Sequence, residues 1–138
     1  MATVTAMATD MAVVITAKKR QAEKAKSVKK LEIIESELNG LFVIKPKVFE
    51  DARGYFFESY NEKTCLEEGV SIEFVQDNQA KSVYGVVRGL HYQLEPFAQT
   101  KFIRVLSGSI LDVVVDIRKG SPTFGKSYSI ELSGENHK

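Results

Sequence analysis

The side chains best suited to proton transfer or anion binding lie in the middle of the sequence, between residues 53 and 104. Four are cations and three are neutral hydrogen-bonding side chains: Arg53, Arg88, Lys101 and Arg104, with Gln76, Asn78 and Gln93. The planar guanidinium of arginine donates two parallel hydrogen bonds, which suits phosphate oxygens. Each cation taken alone is better explained as an ordinary surface residue. Together they indicate an anionic, oxygen-rich ligand.

His91 is the one histidine of this central region, and imidazole is the side chain that most readily gains and loses a proton near neutral pH. It lies in a run typical of a β-strand, where Val87, Gly89 and His91 alternate onto one face. Arg88 then faces the other way, unless Gly89 introduces a bulge that re-aims the chain. A lone histidine in a β-protein is more often a hydrogen-bonded structural residue than a catalyst. At His137, beside the last residue, we expect a frayed terminus.

The sequence predicts neither a metal site nor a cofactor site. No other histidine lies near His91, and the only cysteine, Cys65, falls in a predicted helix, so no spacing matches zinc or iron ligands. The sequence also contains no glycine-rich phosphate loop and no serine nucleophile elbow. A lone cysteine cannot form an internal disulfide, which favours a reducing compartment, the cytoplasm.

The residues that could do chemistry fall in a region whose pattern predicts β-structure. Short runs rich in Val, Ile, Phe and Tyr alternate with Gly, Pro, Asp and Asn at spacings typical of sandwiches and barrels. The predicted strands cover residues 41–49, 55–60, 72–77, 81–88, 101–106, 109–117 and 126–132. A short capped helix is predicted near residues 61–68, between Asn61 and Gly69. The predicted fold class is therefore all-β, an antiparallel β-barrel or jelly roll.

Two carboxylates lie on one side of the strand predicted at residues 109–117. Asp112 and Asp116 share a face with Val114, because alternate side chains of a strand point the same way. That face either meets solvent or a salt-bridge partner, or it lines the polar mouth of a barrel. The following segment, residues 120–125, has the Gly and Pro pattern of a turn, and we assign it no catalytic role.

Residues 1–30 form a basic leader that differs in composition from the rest of the chain. They contain seven of the 19 Lys and Arg residues but only two acidic ones, although the whole chain carries a net charge of +1. We expect the leader to be helical or disordered, with a solvated helix over 17–34. Its apolar stretch is too short to span a membrane, and its lack of aromatic residues argues against nucleic-acid binding. Residues 31–138 form the one globular domain that this length allows.

Five segments of this domain resemble successive motifs of the dTDP-4-dehydrorhamnose 3,5-epimerases. They are residues 46–49 (Pro-Lys-Val-Phe), 51–59 (Asp-Ala-Arg-Gly-Tyr-Phe-Phe-Glu-Ser), 74–78 (Phe-Val-Gln-Asp-Asn), 88–93 (Arg-Gly-Leu-His-Tyr-Gln) and 115–125 (Val-Asp-Ile-Arg-Lys-Gly-Ser-Pro-Thr-Phe-Gly). Their order and spacing also match, which is more specific than one short motif. The resemblance implies a cupin-like jelly roll without metal or cofactor, usually a homodimer. It also implies inversion of C3 and C5 of dTDP-4-dehydro-6-deoxyglucose in deoxysugar biosynthesis.

The resemblance further implies roles for individual residues. His91 resembles the family's base, which removes a hydrogen next to the ketone, and Lys101 matches the position that holds the enolate oxygen. Five residues match positions that bind the nucleotide diphosphate-sugar: Arg53, Glu58, Gln76, Asn78 and Arg88. Arg53 and neighbouring aromatic residues are implied to serve the site of an adjacent subunit.

Inversion requires a second acid, which returns a proton from the face opposite the base. In the family this acid is a tyrosine beyond a motif similar to Trp-Ile-Pro-Glu-Gly-Phe, and no such motif occurs before Lys138. We therefore expect the domain to be incomplete at its carboxyl end. The chain also differs from the family pattern at Gln79 and Thr100. Two alternatives to an active epimerase stay open: an inactive cupin that binds a nucleotide sugar, and a cupin-like interaction module.

Overall fold

The computed structural model describes residues 2–8, 18–19, 31–71 and 73–138. Ten strands and one short helix lie in this part of the chain. In chain order they are β1 (Ala2–Ala8), β2 (Lys18–Lys19), β3 (Leu31–Glu35), β4 (Phe42–Pro46), β5 (Phe49–Asp51), β6 (Gly54–Phe56), α1 (Glu62–Glu67), β7 (Val70–Ser71), β8 (Val86–His91), β9 (Ser109–Val115) and β10 (Ser127–Ser133). The described chain is therefore predominantly β-structure, as the sequence predicts. None of it forms a helix long and apolar enough to cross a membrane.

Four strands form the main sheet, in the order β10, β9, β1, β8, and each neighbouring pair is antiparallel. Three smaller antiparallel pairs join β2 to β7, β3 to β4, and β5 to β6. The β9–β10 hairpin is regular from Ser109 opposite Ser133 to Val115 opposite Ser127. It agrees with the strands predicted at residues 109–117 and 126–132, because alternating apolar residues there pack one face against the core.

The strand β1 joins β8 to the rest of the main sheet. Every residue from Ala2 to Ala8 pairs with a residue of β9, and the other side of β1 pairs with β8. Among the described residues, β1 is the sheet partner of β8. The strand that carries Arg88 and His91 is therefore held in the sheet by the beginning of the chain.

Replacing Thr5 with proline is expected to loosen β8. Thr5 lies in the middle of β1, opposite Arg88 of β8 and Asp112 of β9, and proline removes a backbone N–H from this central strand. Hydrogen–deuterium exchange of the amides at 86–91 should become faster by about tenfold or more. Thr5→Ala is the matched control, because it also removes the hydroxyl but keeps the N–H. Equal exchange at 86–91 in both variants would contradict the pairing.

Several sequence predictions of secondary structure are wrong. The helix over 17–34 is not present at Lys18–Lys19 or Leu31–Glu35, which are strands, and the rest of that range lies outside the described residues. Residues 2–8 of the leader also form a strand instead of a helix or a disordered tail. In β3, the alternate residues Leu31 and Ile33 pack in the core, which is the period of a strand and not of a helix. The domain boundary after residue 30 stays a prediction.

Two predicted strands, at 72–77 and 101–106, are not formed in their described parts: residues 73–77 and 101–104 have no regular structure. Aromatic packing holds these segments in place of a strand ladder. The ring of Tyr60 lies 5.1 Å from that of Phe74 and 6.3 Å from that of Phe102, between ring centroids. Aromatic side chains therefore pack against one another here without backbone pairing.

The apolar core is divided into three small clusters. Their buried members are Val105, Ile110 and Leu132; Leu31, Cys65 and Val70; and Leu38, Leu41 and Val114. Many large apolar side chains outside these clusters are exposed, among them Tyr84, Val87 and Phe97. An exposed apolar surface of this kind favours association with another molecule.

Asp112 of β9 and Asp116, the residue after β9, are both buried, and Asp116 has no exposed surface. Its carboxylate accepts hydrogen bonds from Arg118 Nε at 2.9 Å and from the hydroxyls of Ser121 and Thr123, both at 2.6 Å. These contacts, with Arg118 foremost, hold the pKa of Asp116 far below its usual range. For Asp116, the salt-bridge interpretation is confirmed. The turn at 120–125 supplies two of the donors, which is a structural role.

Candidate active site

The strand β8 contains a bulge at Gly89 and Leu90. Thr3 pairs with His91 and Thr5 pairs with Arg88, so β8 advances three residues while β1 advances two. Gly89 has φ 128°, a conformation that favours glycine. When a strand contains one extra residue, side chains three positions apart can point to the same face of the sheet. Because of the bulge, Arg88 and His91 can lie on the same face of β8 and act together, which simple alternation would not allow.

Arg88 is anchored by Ser82. Its Nε and one terminal nitrogen donate to the Ser82 hydroxyl oxygen at 3.1 Å and 2.9 Å. Ser82 is buried, whereas Arg88 is exposed, so the guanidinium is held from its inner side. The contact with Ser82 orients the guanidinium, and its remaining N–H groups can donate hydrogen bonds to a ligand.

Glu58 is held at the start of α1. Its two carboxylate oxygens accept hydrogen bonds from the Asn61 side-chain amide at 2.9 Å and from the Thr64 hydroxyl at 3.3 Å. Asn61 also caps the helix, because its side-chain oxygen accepts from the Thr64 backbone N–H at 3.0 Å. The helix predicted near 61–68 is thus confirmed, and it fixes the position of Glu58.

The other predicted site residues lie in three places. Gln76 donates from its side-chain nitrogen to the side-chain oxygen of Asn78 at 3.1 Å, so these two are brought together. Arg53 lies exposed at the β5–β6 turn and binds Asp51, an interaction that lowers the pKa of Asp51 and raises that of Arg53. Lys101 is half-buried in the segment before residue 105, and its ammonium group has no ion pair with another described residue.

The sequence patterns do not identify the residues that hold Arg88 and Glu58 in position. Ser82 is six positions from Arg88, and this spacing matches no motif, so only the fold reveals the anchor. Asn61 is recognisable as a helix cap, but its contact with Glu58 is not. Within the described ranges no three His, Cys, Asp or Glu residues are grouped to hold a metal ion.

Comparison with known proteins assigns this arrangement to a family. A sequence model described as dTDP-4-dehydrorhamnose 3,5-epimerase matches residues 35–138, the range that contains all the predicted site residues. The chain belongs to the dTDP-4-dehydrorhamnose 3,5-epimerase family. The resemblance on which the sequence analysis relied is thereby confirmed.

The epimerase family includes a dTDP-4-dehydrorhamnose 3,5-epimerase of Shigella flexneri that is 53% identical to this chain over 107 residues. The match covers 77% of this chain and 59% of the Shigella protein. The chain thus spans about three fifths of the length of this relative.

Two solved epimerase structures are similar to the chain in three dimensions. The Bacillus anthracis enzyme, with TDP and PPi bound, is 46% identical and has a TM-score of 0.75, covering 78% of this chain and 62% of its own. A 3,5-epimerase of Legionella pneumophila in complex with dTDP-4-keto-L-rhamnose is 41% identical, with a TM-score of 0.64, and the match covers 77% and 56% of the two chains. The likeness confirms the predicted cupin-like jelly-roll class.

Proposed function

We propose that this protein is an isomerase that epimerises dTDP-4-dehydro-6-deoxyglucose at C3 and C5. The observation that carries the proposal is the family match, because it is continuous over the stretch that contains His91, Lys101 and Arg88. The Legionella relative with bound dTDP-4-keto-L-rhamnose supports the same class of ligand. The proposed setting is dTDP-rhamnose biosynthesis in the cytoplasm.

The proposed reaction begins with His91 as general base. A hydrogen on a carbon next to a ketone is weakly acidic, because the electron pair left behind moves onto the ketone oxygen as an enolate. His91 takes this proton, and the Lys101 ammonium stabilises the enolate oxygen by charge and hydrogen bonding. The half-buried position of Lys101, without a described carboxylate partner, is consistent with this role. Inversion is complete when a proton reaches the same carbon from the opposite face.

The anion-binding residues would position the substrate. Arg88, directed by Ser82, binds the diphosphate, and Gln76 and Asn78 bind neutral oxygens. Glu58 accepts hydrogen bonds from sugar hydroxyl groups with the lone pairs that Asn61 and Thr64 leave free. These are the residue types that a nucleotide diphosphate-sugar requires.

We propose a homodimer as the working form. The β5–β6 hairpin exposes Phe49, Arg53 and Phe56, so it presents two aromatic rings and a cation to a neighbouring molecule. Arg53 would then act in the site of the second copy. Arg53 lies at the turn of the β5–β6 pair, which is a separate sheet from the one that contains Arg88.

Incubation with the keto-sugar in deuterated water tests the proposed function. NMR should show deuterium entering C3 and C5 faster with the protein than in buffer, because each removed proton exchanges with solvent. Binding of the sugar nucleotide without any exchange would overturn the enzyme proposal and leave a nucleotide-sugar binding module. Absence of both binding and exchange would leave only an interaction module.

A further inference from the structure

A cavity of about 290 Å³ lies between the β3–β4 hairpin, β6 and the segment around Arg104. Its wall includes the aromatic side chains of Tyr55 and Phe57, together with Arg104, His137 and Lys138. Of the candidate ligand-binding residues, Arg104 lines it, whereas none of the residues to which the family resemblance assigns a role does so: His91, Lys101, Arg53, Glu58, Gln76, Asn78 and Arg88. Its volume is close to the lower end for small-molecule pockets, so it suits a ligand with a single ring.

Three rings form one wall of this cavity. Tyr55 and Phe57 are stacked with ring centroids 5.8 Å apart, and the His137 ring lies across both, at 4.7 Å and 5.0 Å. The Tyr55 residue is nevertheless 58% exposed. A further flat ring can therefore stack on it.

His137 is held in this position by a hydrogen-bonded turn, so the expectation of a frayed terminus is wrong. The Asn136 side-chain oxygen accepts from the backbone N–H groups of Ser133 and Lys138, both at 3.1 Å. The His137 N–H donates to the Ser133 carbonyl oxygen at 3.3 Å. His137 has φ 50°, a conformation that side chains other than glycine rarely adopt and that these bonds maintain.

The charged side chains that line the cavity include those of Arg104 and Lys138. Arg104 is half-buried, and among the described residues it has neither an ion pair nor a side-chain hydrogen bond. No Asp or Glu side chain contributes to the described wall. A guanidinium has five N–H donors, and donors that are partly withdrawn from water favour an anion that accepts from them.

We propose that this cavity is a second ligand site, for a small planar aromatic molecule with one anionic group. The ring of the ligand stacks on Tyr55, and its anionic group accepts hydrogen bonds from Arg104. Because none of the proposed catalytic residues lines the cavity, this site is independent of the epimerase proposal.

Phenyl phosphate is a suitable probe, with phenol and inorganic phosphate as its two halves. The chain has two histidines, so NMR of their ring C–H protons reports separately on the cavity through His137 and on β8 through His91. Phenyl phosphate should shift the His137 signals and bind at least about tenfold more tightly than either half, since stacking and charge act together. Shifts at His91 alone, or equal binding of all three probes, would overturn the proposal.

Two variants identify the groups that bind the probe. Arg104→Gln and Tyr55→Leu should each weaken binding of phenyl phosphate by about tenfold, because one loses the charge and the other the stacking surface. Lys119→Gln is the matched control, as it removes an exposed cation outside the cavity. Unchanged thermal unfolding midpoints would show that the variants fold. Unaltered affinity in folded Arg104→Gln would contradict the site.

Discussion

Replacing His91 with alanine is expected to slow deuterium incorporation at C3 and C5 of the keto-sugar by about 10²- to 10⁴-fold, the contribution of a positioned general base. The loss should appear in kcat and not in the affinity for the sugar nucleotide, because the imidazole acts on the carbon-bound hydrogen and Arg88 on the phosphates. The measurement is NMR of the sugar in deuterated water at saturating substrate. Residual exchange reports proton removal by solvent.

Val87→Ala is the control for His91→Ala. Val87 lies on the same strand, is exposed, and loses a side chain without losing a proton acceptor. The Val87→Ala variant should incorporate deuterium into the keto-sugar at the same rate as the parent protein. If His91→Ala kept the parent rate as well, another group would have to be the base, and the assignment of His91 would be wrong.

Asp116→Asn is expected to give the largest loss of stability. It places a neutral amide where Arg118, Ser121 and Thr123 all donate to a carboxylate, so donors meet an NH₂ group inside the protein. Removing one member of a buried ion pair costs about 3–5 kcal/mol. Because the Arg118 side chain is 42% exposed and can regain water, we expect about 2–3 kcal/mol. Urea unfolding of both proteins measures the difference.

Asp51→Asn is a matched control for burial. Asp51 also binds the arginine two positions later, but its side chain is 52% exposed, whereas that of Asp116 is fully enclosed. Solvent screens the exposed pair, so the urea midpoint of Asp51→Asn should equal that of the parent. If Asp51→Asn and Asp116→Asn lost equal stability, burial of Asp116 would not be the cause of the loss.

The contribution of Asp116 should also depend on pH. Its pKa is lowered in the folded chain, chiefly by Arg118, so between the folded and unfolded pKa values the unfolded state binds more protons. The stability it provides is complete above the unfolded pKa of about 3.9 and decreases as the pH falls below that value. The difference in the free energy of unfolding between the parent and Asp116→Asn should therefore become smaller as the pH is lowered from about 5 to about 2.

The parts of the fold that the sequence predicts correctly are those governed by local rules. Asn61 caps α1, and the alternation along β9 and β10 sets which side chains enter the core. The segments at 73–77 and 101–104 have the same composition as strands, but ring packing among Tyr60, Phe74 and Phe102 replaces backbone pairing. Composition alone does not distinguish packing between aromatic rings from pairing between strands.

The candidate site is predictable to the level of residue types and motifs. The motif at 88–93 identifies Arg88 and His91, yet whether they share a face depends on a bulge that is visible only in the pairing with β1. The anchoring of Arg88 by Ser82 depends on a bend of the chain between them. Such contacts arise from the course of the backbone, which a one-dimensional pattern does not contain.

The position of β1 sets an order of events during synthesis. Residues 2–8 are made before their neighbour β9, which is complete only when Val115 has been made. At about 5–20 residues per second, this wait is on the order of 5–20 s. Throughout that time β1 lacks the strand that links it to β10, so early capture of residues 2–8 by a chaperone would act directly on assembly of the sheet that holds His91.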